Sequence, residues 1–182
     1  MNQRMRWTSR MLGFAGVLGI AAGMACLPLV PCTQAVEKDG TEENAGGAEA
    51  EVLAAAGKFY EALNQLFTGE LGAMEEVWSH STEATYMGPA GGFQVGWTQV
   101  RSELEKQAAM KLGGKIEASD MHVTMGPEQV MAVVSNYEKG ENKNAKGESR
   151  EIAIRATNVF RKEGDAWKMV GHHTDILPFM KE

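Results

Sequence analysis

Cysteine is nearly absent from this chain of 182 residues, which has two, Cys26 and Cys32, both near the N-terminus. The rest of the chain has no thiol, which excludes a disulfide framework and a cysteine nucleophile. The adjacent His172 and His173 look like a metal-binding pair, but neighbouring residues of a strand point to opposite faces of a sheet. We therefore predict no metal site.

The chain also lacks a basic stripe. Its formal net charge is −6, and residues 1–35 contribute three arginines and no acidic residue, so the remainder carries −9. An acidic domain of this kind repels a phosphate backbone. The sequence therefore predicts no nucleic-acid partner.

Residues 1–35 have the three parts of a secretory signal peptide. Arginines precede an apolar run over residues 11–30, and Thr33 and Ala35 place small residues before a cleavage point. This pattern predicts export, periplasmic or secreted, with no membrane attachment after cleavage. The alternative is an uncleaved membrane anchor, because the apolar run approaches the length of a membrane-spanning helix.

Residues 36–47 are acidic, contain glycine and have no apolar period, so we interpret them as a disordered linker. One domain is predicted over residues 48–182. Its first half has three helical patterns, beginning near Ala48, at Glu70–Trp78 and at Thr98–Leu112. The apolar stripes expected to be buried are Val52, Ala56, Phe59, Leu63 and Leu66 in the first helix, and Val100, Leu104 and Ala108 in the third.

After the third helix the apolar period changes to two. Strands are predicted at Lys115–Met125 and Gln129–Lys139, and a hairpin at Ser149–Phe179, while a shorter hairpin over Ser81–Trp97 lies between the second and third helices. Helices followed by consecutive antiparallel strands predict an α+β fold. A curved sheet against a few helices encloses a pocket that is open at one end.

The final hairpin carries the main functional signal. With Gly164 in the turn, we expect Phe160 to lie opposite Trp167. The more apolar face, which we expect to be the core face, then comprises Ile154, Ala156, Asn158, Phe160, Trp167, Met169, Gly171, His173 and Asp175. Its polar members would need partners or a water-filled cavity. A one-residue bulge would instead turn Arg155 inward and His173 outward.

Three segments, VWSHSTEATYMGP, GGFQVGWTQVRSELEKQ and RATNVFRKEGDAWKMVGHH, resemble the SnoaL-like branch of the NTF2-like superfamily. The resemblance spans about Ala48 to Phe179. It implies an NTF2-like cone, with about three N-terminal helices packed on a curved antiparallel sheet around a pocket, often in a homodimer joined through the outer sheet face. Enzymes of the family, which include polyketide cyclases, Δ5-3-ketosteroid isomerases and epoxide hydrolases, use no cofactor.

Candidate site residues come from the predicted core face and its neighbours. His173 and Asp175 are the candidate catalytic pair, because a carboxylate two residues away on one face could orient or charge the imidazole. The predicted pocket residues are Trp78, Tyr86, Phe93, Trp97, Asn158, Trp167 and Met169. The isomerase pairing of a pocket Tyr with two Asp residues has no match in this chain.

Three functions are compatible with this pattern. The first is an exported domain that binds a small hydrophobic or aromatic molecule in an apolar pocket. The second is a cofactor-free isomerase, cyclase or hydratase that uses His173 and Asp175. The third is a dimeric structural or interaction domain. The small acid/base set favours the binding domain.

Overall fold

The computed structural model describes residues 40–89, 91–144 and 146–176. The predicted signal peptide or anchor, residues 1–35, lies outside these ranges. Within them, no helix combines the length and the apolar character that crossing a membrane requires.

Three α-helices precede the long strands. They are α1 (Gly40–Leu66), α2 (Gly72–Val77) and α3 (Trp97–Met110). The predicted stripes are confirmed, because Val52, Phe59 and Leu66 of α1 and Val100 and Leu104 of α3 are all buried. These apolar stripes form the helical side of the core.

The start of α1 differs from the sequence-based expectation. The helix begins at Gly40 rather than near Ala48, so the later part of the predicted linker, residues 36–47, is helical.

Six strands form one curved, mixed sheet in the order β2-β1-β6-β5-β4-β3. They are β1 (Thr85–Met87), β2 (Gln94–Val95), β3 (Lys115–Met125), β4 (Met131–Lys143), β5 (Ser149–Glu163) and β6 (Ala166–Ile176). The long strands pair antiparallel, as predicted, whereas β1 runs parallel to β6. The α+β cone expected from the sequence is confirmed.

The register of the final hairpin differs from the predicted one. Phe160 pairs with Met169, and Trp167 pairs with Lys162, so the predicted pairing of Phe160 with Trp167 is wrong. The turn is shorter than expected, because the paired residues continue to Glu163 and resume at Ala166. The positive φ of Gly164, 61°, suits a two-residue hairpin turn of this kind.

A bulge interrupts β6 in the middle of the sheet. Val159 pairs with Gly171 and Phe160 pairs with Met169, which leaves Val170 as an extra residue on β6. An extra residue reverses the inward and outward alternation of the strand beyond it.

The bulge decides which histidine faces the helices. His172 is 4% exposed on the inner face, whereas His173 is exposed on the outer face. The prediction that His173 and Asp175 share the core face is therefore wrong. Arg155 also stays on the outer face, since the bulge lies in β6 and leaves the alternation of β5 unchanged.

Two adjacent glycines before β3 allow a direct test of the packing of β3 against β4. Gly113 and Gly114 have φ of 60° and 75°, and a Cβ on Gly114 would lie 2.0 Å from the carbonyl oxygen of Glu141, whereas one on Gly113 would meet nothing within 4 Å. Gly113→Ala should lower the free energy of unfolding by about 1–2 kcal/mol through its positive φ alone. Gly114→Ala should cost about 1–3 kcal/mol more, because the backbone has to shift.

Urea unfolding of the two variants measures this difference. Equal losses in the two proteins would show that β4 does not approach Gly114 as closely as described.

Candidate functional site

Five polar side chains meet on the inner face of the sheet, and we call them the inner cluster. They come from α1, β4, β5 and β6 and are Tyr60, Asn136, Glu138, Asn158 and His172. None is more than 6% exposed. Each strand residue of the cluster takes an inward position that the alternation would otherwise give to an apolar side chain. Burial of so many polar groups requires that they satisfy one another.

Hydrogen bonds join all five side chains. The hydroxyl of Tyr60 donates to Oε1 of Glu138 at 3.1 Å and accepts from the amide nitrogens of Asn136 at 2.8 Å and Asn158 at 3.2 Å. Asn158 also donates to Oδ1 of Asn136 at 3.0 Å. Nδ1 of His172 lies 2.7 Å from Oδ1 of Asn158. The cluster is thus one connected network across three strands and a helix.

Aromatic rings surround the imidazole of His172. Tyr86 stacks on it with ring centroids 5.5 Å apart, and Phe59 lies 5.1 Å away at a tilt. Gln107 on α3 donates to the Tyr86 hydroxyl at 2.7 Å and holds that ring in place. Burial raises the pKa of Tyr86 to about 12, so its hydroxyl is neutral. The cluster therefore has apolar, aromatic walls.

Burial shifts the pKa values of the carboxyl and the imidazole of the cluster in opposite directions. It raises the pKa of Glu138 to about 7, although the hydrogen bond from Tyr60 acts to lower it. It lowers the pKa of His172 to about 3, with a smaller effect in the same direction from His173. The 3.9 Å approach of His172 Nε2 to Glu138 Oε1 is therefore a contact of a neutral imidazole, not an ion pair. A carboxylate with a pKa near neutrality suits a general base.

His173 and Asp175 lie on the opposite, outer face. Asp175 forms a hydrogen-bonded ion pair with Arg155, whose hydrogen bonds lower the pKa of the carboxyl. Both belong to a groove of about 500 Å³ lined by Asp120, His122, Ser135, Tyr137, Arg155, Thr157, His173 and Asp175 among others. The acid/base pair predicted for the core is therefore not there.

The predicted pocket residues divide into an interior group and a surface group. Five are buried, namely Trp78, Tyr86, Asn158, Trp167 and Met169. Phe93 is 62% exposed, so its predicted interior position is wrong. Trp97 is half-buried and stacks on His80 with centroids 4.4 Å apart. The interior group brings Asn158 and Tyr86 directly to the inner cluster.

Four members of the inner cluster were missed from the sequence. Asn136 and Glu138 had a readable signal, since they continue the inward alternation of Ala132 and Val134 on β4 with polar residues. Tyr60 adjoins the predicted stripe of α1 without belonging to it. His172 had no local signal, because its inward position depends on the bulge.

The described residues include no group of three or more His, Cys, Asp or Glu side chains placed to hold a metal ion.

A family model for the SnoaL-like domain matches residues 52–177. The chain belongs to the SnoaL-like domain family. The resemblance seen in the sequence is confirmed. No curated protein matches the chain.

Solved structures share the fold of this SnoaL-like domain. An NTF2-like superfamily protein from Salmonella enterica has a TM-score of 0.63 and 12% identity, covering 76% of this chain and 98% of its own. A provisionally assigned dehydratase of the NTF2-like family from Streptomyces avermitilis has a TM-score of 0.63 and 20% identity, covering 73% and 98%. A provisionally assigned ketosteroid isomerase from Shewanella frigidimarina has a TM-score of 0.56 and 17% identity, covering 70% of this chain and 97% of its own. At these identities the likeness shows the fold alone.

The neutral, buried His172 predicts a specific loss of stability in acid. Its pKa is lowered from 6.5 to about 3 on folding, so between these values the unfolded chain binds a proton that the folded SnoaL-like domain does not. From this group the free energy of unfolding should therefore fall by about 2 kcal/mol between pH 6.5 and pH 5, while Glu138, whose pKa is raised on folding, acts in the opposite direction in every protein compared. His172→Gln should lack this contribution.

Urea unfolding at the two pH values measures the effect as a difference between proteins, which removes contributions common to both. His173→Gln changes an exposed neighbour and should behave as the unaltered chain does. If His172→Gln lost as much stability on acidification as the unaltered chain, the buried, neutral state of His172 would be disproved.

Proposed function

We propose that this SnoaL-like domain is a cofactor-free enzyme that transfers a proton to or from a small organic molecule bound at the inner cluster. The observation that carries the proposal is Glu138, a carboxyl 4% exposed on the inner face of the sheet. Burying an ionisable group without an opposite charge is unfavourable, and such groups concentrate at functional sites. The fold neighbours provisionally assigned as a dehydratase and an isomerase agree with this class of chemistry.

Glu138 is the general base in this proposal. With its pKa raised to about 7, the carboxylate is present at neutral pH and still basic enough to remove a weakly acidic proton. Tyr60 orients the carboxylate by donating to Oε1. Phe59 and Tyr86 provide the apolar wall against which a small ring or chain packs. Because the cluster is buried, substrate access requires that this aromatic wall or α1 move.

Glu138→Gln tests the proposal, because the amide keeps the shape of the side chain and cannot act as a base. Exchange of the α-protons of β-hydroxy ketones in D2O, followed by proton NMR, measures proton transfer directly. The substitution should slow the exchange by about 100- to 10,000-fold. In the unaltered chain the rate should rise with pH and level off above about pH 7, as the carboxyl loses its proton.

Glu141→Gln is the matched control, since Glu141 is exposed on the same strand and should leave the rate unchanged. If Glu138→Gln kept the full rate, or if the chain accelerated exchange of none of these compounds, proton transfer at Glu138 would be rejected.

We also propose that the domain forms a homodimer through the outer sheet face and is exported. Apolar side chains on or beside this face are exposed, including Tyr137 at 39%, Met131 at 36% and Val130 at 45%. In a two-fold dimer these side chains would pack against the same face of a second copy. Export is supported by the three-part pattern of residues 1–35.

Native mass spectrometry of protein purified from its own host tests both statements. The expected species is a dimer whose subunits begin at Val36. Tyr137→Glu should convert it to monomer by placing a charge in the interface. Phe93→Glu, a change at another exposed aromatic residue, should leave it dimeric. A monomer in the unaltered protein, or a subunit that retains residues 1–35, would contradict the corresponding statement.

A further inference from the structure

The direction of every hydrogen bond in the inner cluster follows from one backbone group. The amide nitrogen of Asn136 lies 3.0 Å from the carbonyl oxygen of Tyr137. A carbonyl oxygen only accepts hydrogen bonds, so this end of the Asn136 side chain must be its NH2 group. The other amide hydrogen of Asn136 goes to the hydroxyl oxygen of Tyr60. Oδ1 of Asn136 is therefore an acceptor.

The orientation of the Asn136 amide fixes the orientation of the Asn158 amide and, through it, the tautomer of His172. Because Oδ1 of Asn136 accepts, the atom of Asn158 that lies 3.0 Å from it must be the NH2 nitrogen. Oδ1 of Asn158 then faces Nδ1 of His172 at 2.7 Å and can only accept. His172 must carry its hydrogen on Nδ1. Since burial keeps the ring neutral, Nε2 has no hydrogen and presents a lone pair.

When Glu138 is ionised, the cluster consequently has no free donor. Both amide hydrogens of Asn158 and one of Asn136 are bonded within it, and the other hydrogen of Asn136 goes to the carbonyl of Tyr137. Tyr60 accepts from both amides and donates its hydrogen to Glu138. What stays open is the lone pair of Nε2 of His172 and the second lone pair of Oε1 of Glu138, an atom that already accepts from Tyr60; the two atoms are 3.9 Å apart. That separation is too long for a hydrogen bond between them. A hydrogen-bond donor placed between or beside these two acceptor atoms would satisfy both of them.

We propose that the site binds its substrate through a hydroxyl or N–H group, which donates to Nε2 of His172 and Oε1 of Glu138. Asn158 is a positioning residue that holds His172 in the accepting tautomer. The inference rests on the proposed function only in placing the substrate at the inner cluster. It narrows the substrate class to alcohols, phenols, enols and amines, and it separates them from molecules whose polar atoms only accept.

Thr174 provides an independent indication of a ligand in the same place. It is the next inward residue of β6 after His172 and is 5% exposed, and its hydroxyl has no hydrogen-bond partner among the described residues. Two residues along a strand correspond to about 7 Å. A second polar atom of the substrate at about this distance from its donor group would satisfy the Thr174 hydroxyl.

The first experiment measures the tautomer of His172 by nitrogen-15 NMR on the full-length, histidine-labelled chain at pH 8. The expected result is a hydrogen on Nδ1 and none on Nε2. Asn158→Leu removes the oxygen that accepts from Nδ1 of His172, so the Nε2–H tautomer should become populated and detectable. Asn142→Leu, the same change at another buried asparagine of β4 that lies outside the inner cluster, should leave the Nδ1–H form. A hydrogen on Nε2 in the unaltered chain would overturn the proposal, and this result is obtained even if neither variant folds.

The second experiment compares two probes, phenol and anisole, which differ in that anisole has a methyl group in place of the hydroxyl hydrogen. Phenol should bind about tenfold more tightly, equivalent to about 1.4 kcal/mol, and should shift the Nε2 resonance of His172. Equal binding of the two probes, or no effect of either on that resonance, would overturn the proposal.

These outcomes are distinguishable from failure of the proposed function. The tautomer and the probe preference are read without any turnover. Loss of the proton-transfer role of Glu138 would be seen in the exchange rates while the acceptor pair of His172 and Glu138 remained intact.

Discussion

The extra residue in β6 is the constraint on which the interior of this domain depends. Side chains of a strand alternate between faces, so the insertion of Val170 moves every later residue of β6 to the face opposite the one that simple counting assigns. His172 thereby joins the inner cluster, and His173 joins Arg155 and Asp175 outside. One residue thus exchanges a surface histidine for an interior one and completes the inner cluster.

The inner cluster shows how a carboxyl can be buried without an opposite charge. Tyr60 donates to Glu138 and is itself supported by two asparagine amides, so the dipoles of the network point toward the carboxyl. A satisfied network of this kind stabilises the ionised form, but burial still dominates and the pKa stays raised. A site that is polar at its centre and aromatic around it suits a small organic molecule with one or two polar groups.

Local patterns predicted the architecture well, because helical stripes and strand alternation record which face of each element is buried. The bounds of β3 and the buried residues of α1 and α3 follow from these periods alone. The candidate site was predicted only at Asn158 and Tyr86. Glu138 and Asn136 interrupt the apolar alternation of β4 and could have been found by the same reasoning. Tyr60 bonds to Glu138 although the two residues are 78 positions apart in the chain. Sequence periodicity carries no information about contacts at that separation.

The amino-acid sequence by itself determined the family, the order of the elements and the side of each helix that is buried, since these depend on interactions between near neighbours in the chain. Only the tertiary structure decided the position of the bulge, because pairing across β5, β6 and β1 is set by contacts between distant segments. The identity of the inward histidine, and with it the hydrogen bond between His172 and Asn158, follows from that pairing.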